Sequence, residues 1–280
     1  MSPAALVGTD WLAAHRGDPD VRVIDATWYL PHLGRDARAE FAQAHVPGAV
    51  YFDIDAISDR TSSLPHMLPT AAEFGRHVGA LGIGDGDHVV AYGGRNLIAS
   101  ARAWWMFRVF GHERVSVLDG GMAKWRAEGR PVEGGAPAAT APRAFTARFR
   151  PELVRDVGQV RGNIDARAEQ ALDARSAGRF SGAEPEVRPG VRSGHIPGSL
   201  NLPYDGLFDA AGLLAPPDAL RRAFDGAGVD LARPVFTTCG SGVSAAVLAL
   251  GLHALGRADV PVYDGSWTEW GGRADTPIEK

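Results

Sequence analysis

Apolar residues fall in short runs separated by longer stretches of helical spacing. In the second half of the chain, Gln170-Ala-Leu-Asp-Ala174, Ser199-Leu-Asn-Leu202, Pro234-Val-Phe-Thr-Thr238 and Val260-Pro-Val-Tyr-Asp264 have the length and character of short strands. Between the last two, Gly242 to Leu255 places Val243, Val247, Leu248, Leu250 and Leu255 close to the period of a helix. The first half repeats the pattern, with a strand at His88–Tyr92, a helix around Ser100–Phe110 and a strand at Val115–Asp119. Strand–helix–strand alternation predicts an α/β fold, a mainly parallel sheet flanked by helices on both faces. In such sheets sites gather at the carboxyl ends of the strands, where the following loops converge.

The two halves also share residues. His45-Val-Pro-Gly-Ala-Val matches His195-Ile-Pro-Gly-Ser-Leu, and Val23-Ile-Asp-Ala-Thr27 matches Ala171-Leu-Asp-Ala-Arg175. Val117-Leu-Asp-Gly-Gly121 with Trp125 matches Val262-Tyr-Asp-Gly-Ser266 with Trp270. Common order at a nearly constant offset implies two tandem domains built on one plan. The small-residue and proline tract from Gly134 to Pro142 cannot supply a core. The expected division is therefore domain 1–133, an extended linker 134–150 crossing the surface of both domains, and domain 151–280.

Charge and composition narrow the function. With 29 cations against 33 anions the net charge is −4, so no global basic field exists to draw nucleic acid or an anionic membrane. Only Lys124 and Lys280 are lysines, a bias that weakens any argument from a single arginine. The first residues, Met1-Ser-Pro-Ala-Ala-Leu-Val-Gly, lack a basic segment and an apolar core, so no signal peptide is expected. The apolar stretch Val243–Leu255 is short of the roughly 20 residues a membrane span needs, and reads as a buried helix. One cysteine, Cys239, excludes an internal disulfide and fits a reducing compartment, so the expected location is the cytoplasm.

That cysteine is the sharpest chemical signal. Val235-Phe-Thr-Thr-Cys239-Gly-Ser-Gly-Val-Ser-Ala245 runs from a β-branched strand through a glycine loop into a helix. A thiol there faces the unsatisfied amides and positive end of the helix, which favour a thiolate. Gly240 and Gly242 let the backbone curl so that several N–H groups face one point. The common alternative for a lone cysteine is a small buried hydrophobe, which does not account for this setting. Gly240-x-Gly242-x-x-Ala245 also fits a dinucleotide fingerprint, but too little chain follows to complete a nucleotide-binding half. A cysteine phosphatase would hold an arginine six residues after the nucleophile, where Ala245 stands. Gly82-x-Gly84-x-Gly86 precedes a strand and reads as a turn.

Two tandem domains, His-Val/Ile-Pro-Gly in each, a cysteine loop only in the second and Asp-Gly…Trp near each domain end resemble the two-domain rhodanese (sulfurtransferase) family. Aligned against Cys239, the first half reads Tyr92-Gly93-Gly94, so that domain is expected to be non-nucleophilic. The uncharged loop Cys239-Gly-Ser-Gly-Val-Ser244 is similar to that of mercaptopyruvate-using members; members that use thiosulfate carry basic residues there. The segment Gly178-Arg179-Phe through Glu184-Pro185-Glu186-x-Arg188 is similar to the one in which two arginines hold the substrate carboxylate and carbonyl. Asp53-Ile-Asp55…Ser-Asp59-Arg60-Thr61, with His66-Met-Leu-Pro69, is similar to the first-domain segment that faces the cysteine across a cleft. Ile98 departs from the aromatic that relatives often carry.

The resemblance implies sulfur transfer from 3-mercaptopyruvate through a Cys239 persulfide. Asp55, His66 and Ser241 would relay the proton, and Arg179 and Arg188 would hold substrate as planar donors. The backbone of Gly240, Gly242, Val243 and Ser244 would line the substrate. No metal site and no cofactor are expected; the partners would be a small-molecule sulfur donor and a thiol, cyanide or thioredoxin-like acceptor. His45 and His195 recur in both halves and so suit a structural role. Two rival readings stay open: thiosulfate as donor, and a persulfide carrier with little turnover.

Overall fold

The computed structural model describes residues 3–30, 33–94, 97–136 and 140–280. Met1, Ser2 and positions 137–139 of the small-residue tract lie outside the described residues. The chain divides into two units. One comprises Met1–Arg60, Leu68–Arg150 and Ala210–Leu213, the other Thr61–Met67, Pro151–Asp209 and Leu214–Lys280.

The first unit runs β1 (Leu6–Val7), α1 (Thr9–His15), β2 (Val21–Asp25), α2 (Ala37–Gln43), β3 (Val50–Tyr51), α3 (Ala71–Ala80), β4 (His88–Tyr92), α4 (Ile98–Val109), β5 (Val115–Leu118) and α5 (Gly121–Ala127). Its sheet has the order β1-β5-β4-β2-β3, every pair parallel. The second unit runs β6 (Val154–Arg155), α6 (Val157–Ala166), β7 (Gln170–Asp173), α7 (Ala177–Ser181), β8 (Leu200–Asn201), α8 (Pro217–Gly226), β9 (Val235–Thr238), α9 (Ala245–Ala254), β10 (Val262–Tyr263) and α10 (Ser266–Gly272). Its order, β6-β10-β9-β7-β8, repeats the first, again all parallel. The duplication holds at the level of register: Asp25 pairs with Tyr51 and Tyr92, and Asp173 with Asn201 and Thr238.

The sequence signals explain where the elements start. Thr70 and Glu73 form a reciprocal capping box on α3, and Asp156 and Gln159 form another on α6. Residues 245–252 of α9 are all buried, which accounts for its apolar character on every side. In α4 likewise every residue from Ala99 to Val109 is buried. The two-residue strands β1 and β6 are too short to show a period of two, and their pairing to β5 and β10 is a tertiary result.

The segment 140–150 has no helix or strand and belongs to the first unit. The Arg143 amide donates to Gly79 O at 2.9 Å, and the amides of Arg148 and Arg150 donate to Phe110 O and Val109 O. Phe145 packs its ring against Phe74, Phe107 and His112. A Cβ on Gly75 would stand 2.8 Å from Phe145 O, so glycine there lets the segment lie against α3. No helix among the described residues is long and apolar enough to cross a membrane.

Candidate active site

Cys239 follows the last residue of β9 and is 1% exposed. Its amide donates to Ser266 Oγ at 3.2 Å, and its carbonyl accepts from the Trp267 amide at 2.9 Å. The next carbonyl, Gly240 O, accepts from both the amide and the hydroxyl of Thr268, at 2.9 and 2.5 Å. The first turn of α10 therefore clamps the backbone of the cysteine loop. Beyond the clamp, Gly242 adopts φ +75°, a left-handed turn that favours glycine, and α9 begins at Ala245. Ser241, Gly242 and Val243 are buried and Ser244 is half-buried, so the loop presents little but its backbone.

Ser266, which sequence reasoning did not single out, carries much of this clamp. It is fully buried and takes φ +49°, an uncommon conformation for a residue with a Cβ. Its hydroxyl donates to Tyr263 O at 2.7 Å, leaving its lone pairs to accept from Cys239 N and, at 3.4 Å, from Thr238 Oγ1. The duplicated first-domain position is Gly121, at φ +52°, followed by Met122, whose amide donates to Gly93 O as Trp267 does to Cys239 O. A serine in place of that glycine, in the domain that also holds the thiol, was the available sequence signal.

Arg179 sits on α7 and reaches the cysteine loop. A Cβ on Gly240 would stand 3.1 Å from Arg179 Nη2, so the residue after Cys239 must be small for the guanidinium to lie there. The guanidinium is held by Glu186, whose Oε2 accepts from Nη2 at 2.5 Å, while Nε is buried without a hydrogen-bond partner. Glu186 is itself nearly buried and its other oxygen accepts from Arg175 Nη1 at 2.7 Å. Arg175 completes the chain: Nη2 donates to Asp173 Oδ2 at 2.6 Å and to Gly194 O at 2.9 Å, and its Cζ lies over the Trp267 ring, 4.4 Å from the centroid. Burial works against the charge on Arg175, but Asp173 and Glu186 more than compensate and hold its pKa above the usual range. Glu186 was legible in the sequence only as part of the arginine segment; its bridging role depends on the fold.

The remaining expected residues fall as follows. Arg188 is half-buried in the irregular loop between α7 and β8. His66 belongs to the second unit, is buried, and holds φ +60° in a loop, as its proline-flanked setting predicts. Asp55 belongs to the first unit, where its Oδ2 accepts from Trp28 Nε1 at 2.9 Å. His45 and His195 play matching structural parts. Their Nδ1 atoms each lie 2.8 Å from a carbonyl, of Phe41 and Phe180, and each ring stacks on that same phenylalanine. Among the described residues no cluster of His, Cys, Asp or Glu could hold a metal ion.

A model of the rhodanese-like domain matches residues 8–128 and 156–273. The chain belongs to the rhodanese family. It is 46% identical to the 3-mercaptopyruvate sulfurtransferase of Rattus norvegicus, over 96% of this chain and 93% of that protein. It is also 44% identical to the thiosulfate sulfurtransferase of Rattus norvegicus, with the same coverage. Among solved structures, the 3-mercaptopyruvate sulfotransferase SseA from Escherichia coli superposes with a TM-score of 0.87 at 42% identity, over 95% of this chain and 99% of that one. In this rhodanese-family protein the thiol loop belongs to the second of two like domains.

Proposed function

We propose that Cys239 is the nucleophile of a sulfurtransferase whose donor is 3-mercaptopyruvate. The chain is a sulfurtransferase, and the assignment of donor and of individual roles is our reading. The Cys239 thiolate attacks the donor's sulfur, the carbon–sulfur bond breaks, and its electron pair leaves as the enolate of pyruvate. Protonation of that enolate gives pyruvate, and the donor's sulfur stays on Cys239 as a persulfide. An acceptor thiolate or cyanide then takes the outer sulfur and restores the Cys239 thiolate.

The observation that carries this reading is the place of the Arg179 guanidinium against Gly240, one residue from the nucleophile. A planar cation with a buried, unpartnered Nε suits a carboxylate beside the reacting sulfur. Glu186 takes up part of its charge, which suits a monoanionic carboxylate better than a dianion. Arg188 is proposed as the second donor, and Asp55, His66 and Ser241 as the proton relay to the leaving enolate. The helix end behind residues 240–244 is proposed to stabilise the persulfide anion. A thioredoxin-like dithiol is the proposed acceptor, and the cytoplasm, as a reducing compartment, the proposed location.

Thiosulfate is the second reading, favoured by the 44% identity to a thiosulfate sulfurtransferase. Steady-state sulfur transfer with each donor, to a dithiol and to cyanide, decides between them when Cys239→Ser is run in parallel. Preference for mercaptopyruvate, lost in Cys239→Ser, is expected. Preference for thiosulfate would overturn the donor but keep the nucleophile. Full activity in Cys239→Ser would sink the mechanism, and absence of turnover with either donor would leave a persulfide carrier.

A further inference from the structure

The duplicated plan lets the two domains be compared position by position, and at one position they differ in charge. In the second domain Arg175 is buried against four groups: the Asp173 carboxylate, the Gly194 carbonyl, the Trp267 ring and the Glu186 carboxylate. The first-domain counterparts follow from matching hydrogen bonds. The Thr27 amide donates to Asp25 Oδ1 at 2.8 Å as the Arg175 amide donates to Asp173 Oδ1 at 2.9 Å. Ala44 precedes His45 as Gly194 precedes His195, both histidines being bridged to a glutamate near the domain's end. Met122 takes the place of Trp267 over the clamped loop.

Asp25, Thr27, Ala44 and Met122 all line one cavity of about 460 Å³ in the first unit, whose charged lining is completed by Glu40, Arg35 and Arg126. The acid that Arg175 neutralises in one domain thus stands, in the other, on a cavity wall beside a threonine. We propose that this cavity binds a small alkylguanidinium ion, its planar fork facing the Asp25 carboxylate and the Ala44 carbonyl as the Arg175 side chain faces their counterparts. The class of ligand follows from the acceptors. A carboxylate and a carbonyl arranged to take one guanidinium fork suit a planar donor better than a point-charge ammonium. The Met122 thioether supplies a polarisable surface in place of the indole.

Asp25 is 4% exposed, and burial raises its pKa against the hydrogen bonds from Thr27. The Tyr92 hydroxyl and the His45 ring also favour its charged form, and a cation in the cavity would favour it further. Glu40 is engaged by Arg35 and by the Tyr29 hydroxyl, which leaves Asp25 as the acid for a ligand. Arg126, largely exposed, reaches the same Ala44 carbonyl only at 3.5 Å, a length at which a better-placed donor displaces it.

The test is a ligand-observed NMR titration of the full chain with n-butylguanidinium, with n-butylammonium as matched control. Saturable binding of butylguanidinium is expected, with butylammonium and Asp25→Asn each weaker by about tenfold, the worth of one charge-assisted hydrogen bond. Thr27→Arg restores the second-domain pair inside the first domain; it is expected to raise Tm and abolish binding. Should Thr27→Arg fail to fold, Met122→Trp fills the same cavity and serves in its place. Arg179→Ala is expected to bind as the wild type does. Equal binding of the two cations, full binding in a folded cavity-filled variant, or loss of binding in Arg179→Ala would each overturn the assignment, as would no binding by the wild type.

Discussion

The amide of Cys239 is held by the hydroxyl of Ser266, a fully buried serine in a left-handed backbone conformation. A non-glycine residue at such a φ costs about 1–3 kcal/mol and persists where its surroundings demand it. Here the gain is an acceptor for the backbone of Cys239. Ser266→Ala leaves a buried N–H unsatisfied, at a cost of about 1–3 kcal/mol, and is expected to lower both Tm and kcat. Ser266→Gly removes the strain along with the hydroxyl, so it should melt higher than Ser266→Ala while staying as slow. Wild-type kcat in Ser266→Ala would show that the clamp is dispensable to the chemistry.

Gly240→Ala tests the placement of Arg179. The new methyl would stand 3.1 Å from Nη2, so the guanidinium must give way by a few tenths of an ångström. Misplacing a positioning group by about 1 Å costs up to about a hundredfold in rate. The expected result is a KM for mercaptopyruvate raised by about tenfold, with the protein's Tm unchanged. An unchanged KM would separate Arg179 from substrate binding.

Glu186→Gln keeps the shape of the bridge between Arg175 and Arg179 but removes its charge. Replacing a charge-assisted hydrogen bond with a neutral one forfeits about 1 kcal/mol. A KM increase of about fivefold is expected, with kcat changed less. Steady-state kinetics on both donors reads this directly, and an equal fall in kcat with KM untouched would contradict it.

The first domain should lose stability in mild acid. Burial first, and Arg114 nearby, lower the pKa of His88 below its ordinary 6.5, and burial lowers that of His112. The unfolded chain therefore takes up protons that the folded chain refuses, so this contribution is present above pH 6.5 and is lost as pH falls below it. His88 is held within 2.9 Å of Ser116 Oγ, and His112 packs against Phe107 and Phe145. Melting curves between neutral and mildly acidic pH are expected to fall steadily, and His88→Gln should flatten the slope. A slope identical in the variant would remove His88 from the account.

The tandem architecture, the parallel sheets and the position of Cys239 between a strand and a helix were legible in the sequence because each rests on local chemistry. Strand-to-helix alternation, two glycines around a serine and a repeated His-x-Pro-Gly need no knowledge of distant contacts. Arg179 was legible through its segment, but not the reason that Gly240 must be small, since the two positions are sixty-one residues apart in the chain. Ser266 and Glu186 escaped for the same reason. A serine beside a turn and a glutamate in a charged loop are unremarked until folding brings one under Cys239 and the other between two arginines. Composition marks the small-residue tract as unable to form a core, whereas the attachment of residues 143–150 to α3 and α4 depends on glycines at 75 and 79 and on where Phe145 finds apolar partners. The sequence by itself determined which chemical groups and which repeating units this protein has, because those follow from residue type and local period. Only the tertiary structure decided which charges meet, because pairing Arg175 with Asp173, and leaving Asp25 beside a cavity, depends on contacts between segments that the linear order keeps apart.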